Sequence, residues 1–261
     1  MATSRARRGP VAKTPGELDA MAASGAILAD CHDLMAAELG DGVGVTTAHL
    51  DALAEEFIRG RGGVPAFKGY PGPTPYPASI CASVNDEVVH GIPRDEPLRD
   101  GDVLALDCGV ILDGWVSDSA RTYGIGSVSP IAQRLIDHTR ISLEKAIEAC
   151  VLGNRLGDVG HAVQAEIESA GFSVVLSLVG HGVGRSMHEE PQVPNHGRPG
   201  TGLELFEGLV FAVEPMVNVG GHEVVLGDDG WTITTRDGTL SAHWEHTVAV
   251  TADGPRILTL R

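Results

Sequence analysis

Asp107 and Asp118 lie on either side of an Asp113-Gly114 step. Between apolar runs, Asp-Gly is the strongest short-range signal for a two-residue type I′ hairpin turn. The turn fixes a register: Leu112 opposite Trp115, Ile111 opposite Val116, Val110 opposite Ser117, and Gly109 opposite Asp118. Residues directly opposite, and residues two apart along a strand, share a face. Asp107 and Asp118 therefore project from one face as diagonal neighbours. Two carboxylates aimed at one spot repel unless a cation or a shared proton lies between them. A solvated pair on an edge hairpin fits the hairpin equally well, so the remaining chemistry-bearing residues decide.

Three other segments concentrate such residues. Gly180-His-Gly-Val-Gly-Arg-Ser-Met-His-Glu-Glu-Pro191 carries His181 and His188 in a glycine-rich stretch that cannot be regular strand or helix throughout. Glycines there let the backbone bend and bring an imidazole close to a ligand. In Phe211-Ala-Val-Glu-Pro-Met216, Glu214 follows an apolar run and precedes Pro215, which favours an extended backbone. A carboxylate in such a run is costly to bury unless paired or bound to a metal. Glu245, in His243-Trp-Glu-His-Thr-Val-Ala-Val250, opens an apolar strand at the same cost. Read alone, it fits a strand-end acid in water equally well. Together, Asp107, Asp118, Glu214, Glu245 and one histidine make a donor set whose four negative charges match two divalent cations. Oxygen ligands with one imidazole suit Mn²⁺, Fe²⁺ or Co²⁺ and accept Zn²⁺. Two such ions can bridge a water and lower its pKa.

The elements that must position these residues are legible from pattern. Thr14-Pro-Gly-Glu17 reads as a capping box opening a helix that runs to about Leu39, with Leu18, Met21, Ala22, Gly25, Leu28, Ala29 and His32 on one face. A second helix starts near Thr46. A Gly/Pro-rich loop spans residues 60–78, and strands are expected over 80–84, 103–112 and 115–123. Ser129-Pro130 opens a third helix, and a fourth runs from about Leu156 to Ala170, stopped by Gly171. Further strands are expected over 173–179, 209–219, 223–225, 231–235 and 244–251. The order is helix, helix, strands, twice over, without regular βαβ alternation. That predicts an α+β fold with an antiparallel sheet.

Bulk composition narrows the functions. A net charge of −16 argues against electrostatic capture of nucleic acid. No apolar run approaches the roughly 20 residues that span a bilayer. The basic start, Met1 to Pro10, has no apolar segment after it and is expected to be a disordered tail over residues 1–13. Cys31, Cys81, Cys108 and Cys150 are scattered without a CxxC pair, which fits reduced thiols in a cytoplasmic protein.

The chain resembles type I methionine aminopeptidases from Lys13-Thr-Pro to Ile257-Leu-Thr-Leu-Arg261. The resemblance rests on five motifs in order: Ser83-Val-Asn-Asp-Glu-Val-Val-His-Gly-Ile-Pro93, Asp107 to Thr122, Gly180 to Pro191, Glu214-Pro-Met-Val-Asn218, and Ser241-Ala-His-Trp-Glu-His-Thr247. It implies a pita-bread fold over residues 14–261, with similar halves at about 14–126 and 127–261 closing on a dinuclear site. It implies removal of the N-terminal methionine from nascent polypeptides whose second residue is small, by a water that bridges two divalent ions (Co, Mn, Fe or Zn). By position, Asp118 and Glu245 would bridge both metals, Asp107 would hold one, and His181 and Glu214 the other. Glu214 would also be the general base. His188 would bond the scissile carbonyl, and His90 the scissile amide nitrogen. Without the resemblance, His90 reads equally well as a turn residue. The methionine pocket would be lined by Phe67, Tyr70, Cys81 and Trp231. The chain departs from many relatives in a longer, proline-rich loop over 69–81 and in Met187 where an aromatic residue is common. A monomer is expected, and the basic tail is a candidate for transient ribosome contact. The rival within the fold is an X-Pro aminopeptidase or prolidase. Those usually carry an N-terminal domain, for which the stretch before Thr14 leaves no room.

Overall fold

The structure, a computed structural model, describes residues 9–72 and 74–261. Residues 1–8, most of the expected tail, lie outside the described residues. Lys13 is tied to the body: its backbone N–H donates to Gly208 O at 2.7 Å and its ammonium pairs with Glu189 at 2.7 Å.

The helices are α1 (Pro15–Leu39), α2 (Thr47–Gly60), α3 (Pro130–Glu148) and α4 (Leu156–Ser169). The first five strands are β1 (Val64–Pro65), β2 (Ile80–Val84), β3 (Glu87–Val89), β4 (Val103–Leu112) and β5 (Trp115–Gly124). After α4 come β6 (Ser173–Val174), β7 (Val179–Gly182), β8 (Glu189–Pro194), β9 (Val210–Val213) and β10 (Met216–Asn218). The chain ends with β11 (Val224–Leu226), β12 (Ile233–Thr235), β13 (Ser241–His243), β14 (Glu245–Thr251) and β15 (Gly254–Ile257). One antiparallel sheet runs β1-β4-β5-β14-β9-β7-β8, with β2 on β4 and β15 on β14. The α+β expectation holds.

Local chemistry explains the boundaries. Thr14 and Glu17 form the reciprocal capping box, and Ser129 accepts from Ala132 N at the head of α3. The β4–β5 register is the one the Asp-Gly turn dictates, from Leu112↔Trp115 to Gly109↔Asp118. Asp113 and Gly114 both have positive φ, +50° and +75°, as a type I′ turn requires. Two of the apolar clusters among the described residues pack helix pairs against the sheet. One packs Leu28, Met35, Leu50 and Ile58 of α1 and α2 against Ile80, Leu104 and Leu106. The other packs Leu143, Val159, Val163 and Ile167 of α3 and α4 against Phe211, Val213 and Val248. Alternation along the hairpin then sorts its faces. Ser117 bonds Ser24 of α1 at 3.0 Å, and Ser119 O accepts from or faces the His32 ring at 2.9 Å. Asp118, between those two serines, points away from the helix.

Three expected strands differ. The 209–219 run breaks at Glu214-Pro215 into β9 and β10, because Pro215 has no N–H to continue the ladder. The 173–179 run divides between β6 and β7, which join different sheets. The 231–235 run shortens because Asp229 Oδ1 accepts from both Trp231 N and Thr232 N at 2.8 Å, which holds those residues in a turn.

Candidate active site

The sheet delivers the expected donors one strand at a time. Asp107 on β4 and Glu245 on β14 both stand opposite Ala120 of β5, and Asp118 lies two residues before Ala120. All three therefore share a face. Glu214 directly follows β9, whose Val213 pairs with His246, so it adjoins Glu245. On β7, Gly182 pairs with Phe211, which sets His181 on the face of Ala212 and Glu214. Neighbouring strands β4, β5, β14, β9 and β7 thus each bring one candidate ligand to one place. His181 Nε2 lies 3.5 Å from Glu214 Oε1 and 3.7 Å from Asp118 Oδ2. Donor atoms of Asp118, His181 and Glu245 all fall within 4.8 Å of one another.

The electrostatics are those of a charge cluster that lacks counter-charge. Burial pushes the Asp107 carboxyl up to about 7. Burial, Glu245 and Asp107 raise Asp118 well above the usual range. Burial and then neighbouring carboxylates do the same for Glu214 and Glu245. Among the described residues, Asp107 Oδ1, Asp118 Oδ1 and Glu245 Oε1 are buried without a hydrogen-bond partner. Buried acceptors of this kind are rare unless a cation or proton completes them. Burial, followed by His188, lowers the His181 imidazole to about 4, which leaves it neutral and able to donate a lone pair.

A cavity of about 300 Å³ opens beside this cluster. It is lined by every expected pocket residue, Phe67, Tyr70, Cys81 and Trp231, and by His90 and His188. Gly109, on the same face as Asp118, lies against the lining residues Met187 and Phe67. A Cβ there would come within 2.8 Å of Met187 Cε and 3.0 Å of Phe67 Cε1. His90 leaves β3 with φ +60°, and burial lowers its pKa to about 4. Burial also lowers His188. Met187 is buried and walls the cavity, as its apolar, flexible side chain allows.

Several contributors escaped sequence reasoning. Tyr76, from the proline-rich loop, packs edge-on to Trp231 with ring centroids 5.1 Å apart. Trp231 Nε1 donates to Thr74 O at 3.0 Å, which pins the loop over the cavity. Asn195 Nδ2 donates to Glu214 O at 2.8 Å. Thr247 Oγ1 both donates to Asp118 O and accepts from Asp118 N, locking β14 to β5 beside the cluster. His243 is 2% exposed, with Nε2 3.8 Å from Glu245 Oε2 and 4.0 Å from Glu214 Oε2. Its position two residues before Glu245 was the available signal.

Residues 19–252 match the model of metallopeptidase family M24. The chain belongs to this family. It is 49% identical to a methionine aminopeptidase of Clostridium perfringens over 96% of this chain and 98% of that protein. It is likewise 49% identical to methionine aminopeptidase 1 of Mycobacterium tuberculosis over 100% of this chain and 98% of that protein. The crystal structure of methionine aminopeptidase from Rickettsia prowazekii superposes with a TM-score of 0.92 at 43% identity, covering 96% of this chain and 100% of that one. A prolidase from Pyrococcus horikoshii shares the fold, with a TM-score of 0.73 at 20% identity over 96% of this chain and 63% of that one. The fold is the pita-bread fold of these enzymes, and the buried Asp, His and Glu group of this M24 chain suits a divalent metal.

Proposed function

We propose that this chain is a metal-dependent methionyl aminopeptidase that removes the initiator methionine from new polypeptides when the second residue is small. The observation that carries the reading is the convergence of Asp107, Asp118, Glu245, Glu214 and His181 on one face beside an apolar cavity of about 300 Å³. Full-length identity of 49% to methionine aminopeptidases supports this reading over the prolyl-peptidase one.

The residues fit a divalent pair. Their orphaned carboxylate oxygens are acceptors only, and their mutual repulsion is what a 2+ charge relieves. Asp107, Asp118, His181, Glu214 and Glu245 would together hold the two ions. When bound, such ions supply Lewis acidity and lower the pKa of an attacking water. Hard oxygen donors with one imidazole accept Mn²⁺, Fe²⁺, Co²⁺ or Zn²⁺.

The protein's own groups do the rest. Glu214, a carboxylate within the donor cluster, takes the proton of the attacking water. His188 donates to the scissile carbonyl oxygen as negative charge develops there. His90 meets the scissile amide nitrogen. Phe67, Tyr70, Cys81 and Trp231 enclose the methionine side chain, with Tyr76 and Met187 completing the apolar wall. We further propose two similar halves, about 14–126 and 127–261, meeting at this site, and a monomer acting on nascent chains in the cytoplasm. Two features support that setting: its cysteines are free, and no helix among the described residues is long and apolar enough to cross a membrane.

The test is cleavage by purified, metal-loaded protein. Met-Ala-Ser should be cut efficiently, Met-Leu poorly, and Ala-Pro hardly at all. Norleucine keeps the chain length with a methylene in place of the sulfur, a change that an apolar pocket discriminates weakly, so it should replace methionine. Preference for Ala-Pro would reject the reading in favour of a prolyl peptidase.

A further inference from the structure

The hydroxyl of Tyr70 lies 2.6 Å from His188 Nδ1, with the rings edge-on at 5.5 Å and 67°. Sequence reasoning placed Tyr70 only as a wall of the methionine pocket. Its position is set by hydrogen bonds within its own loop. Gly69 N donates to Tyr76 O at 2.8 Å, Tyr76 N to Tyr70 O at 3.0 Å, and Tyr70 N to Phe67 O at 2.8 Å. Tyr76 is itself fixed by its hydroxyl on Ile80 O and Gly91 O, at 3.1 and 2.9 Å. The proline-rich loop is therefore a closed ring of backbone bonds that holds the Tyr70 phenol against one edge of His188.

That contact constrains which proton His188 can offer. A neutral imidazole carries its proton on one nitrogen only, and the partner of one nitrogen decides the state of the other. Nδ1 is engaged by Tyr70, so Nε2 is the nitrogen left for a substrate carbonyl. To donate there, Nε2 must carry the proton and Nδ1 must accept. A phenol, which can donate, satisfies Nδ1 in that form. A carboxylate at this place would accept from Nδ1–H and leave Nε2 without a proton to give.

We propose that Tyr70 is a positioning residue that acts through His188, donating to Nδ1 so that Nε2–H faces the scissile carbonyl oxygen. The inference rests on the reading of His188 given under the proposed function. It extends that reading by giving the proline-rich loop a part in catalysis besides its part in pocket shape.

The experiment is Tyr70→Phe, which keeps the aromatic wall and removes only the hydroxyl, measured with Mn²⁺-loaded enzyme on Met-Ala-Ser, alongside His188→Ala and the double variant. One neutral hydrogen bond, worth roughly 1 kcal/mol, predicts that kcat falls about five- to tenfold in Tyr70→Phe. KM should change less than about twofold because the apolar wall is intact, and Mn²⁺ affinity by calorimetry should be unchanged. In the His188→Ala background the same substitution should cost nothing further. Long-range ¹H–¹⁵N spectra of the histidine rings should report Nε2–H for His188 in the parent chain and a mixed tautomer in Tyr70→Phe. Unchanged kcat in Tyr70→Phe, or an equal loss in both backgrounds, would overturn the inference while leaving the role of His188 intact. Full activity in His188→Ala would instead overturn the reading of His188, and the inference with it.

Discussion

Replacing Asp118 with asparagine should reverse the protein's stability ranking between its metal-free and metal-loaded forms. Asp118 is 4% exposed, and burial together with Glu245 and Asp107 penalises its ionised form. Its Oδ1 has no hydrogen-bond partner among the described residues. An asparagine of the same shape removes one negative charge and adds N–H donors beside acceptor-only carboxylates. The metal-free midpoint should therefore hold or rise. With metal the sign changes. A ligand that binds only the folded state stabilises it by about 2.7 kcal/mol at roughly 100 times its Kd. At about 2–4 °C per kcal/mol for a chain of this size, the wild type should gain roughly 5–11 °C from Mn²⁺. Asp118→Asn should gain almost none, because Asp118 stands between His181 at 3.7 Å and the Glu245 donor within 4.8 Å. Calorimetric melts of chelated and Mn²⁺-supplied protein measure both halves, and turnover of Met-Ala-Ser should be nearly abolished. A Mn²⁺-dependent gain in Asp118→Asn equal to that of the wild type, with activity retained after chelation and reloading, would refute the cation reading of the cluster.

Two other outcomes are expected. Glu214→Gln keeps the size and one oxygen donor but cannot take a proton, so kcat should fall roughly 100-fold or more even at saturating Mn²⁺; full rescue by excess metal in steady-state assays would reduce Glu214 to a ligand. His32, which meets Ser119 O on the helix side of the sheet, is fully buried, and burial lowers its pKa to about 3 from the usual 6.5. Its contribution is complete above about pH 6.5 and is lost as pH falls toward 3, at up to about 1.4 kcal/mol per pH unit for one proton. His32→Gln, which can still donate to Ser119 O, should flatten that acid slope in urea melts at pH 4 to 6.5; an unchanged slope would show that His32 is not the titrating group.

The features that the sequence alone determined are those specified by neighbouring residues. The Asp113-Gly114 turn needs only the positive φ of its own two residues, and from it the register of Asp107 and Asp118 follows by counting. The Thr14 and Ser129 caps are equally local, since cap and helix lie within three residues. Asp107, Asp118, Glu214 and Glu245 stood out because carboxylates in apolar runs conflict with burial wherever they occur, whereas the choice of His181 over His188 came from the family resemblance. The tertiary structure decided what depends on distant partners. An unbroken apolar run does not say where one strand stops and the next sheet begins, so the division of 173–179 between β6 and β7 required the sheets themselves. The bond from Tyr70 to His188 joins residues 118 positions apart, and Thr247 reaches Asp118 across 129. Composition cannot encode such contacts; they exist only once the antiparallel order β4-β5-β14-β9-β7 has aligned one donor per strand.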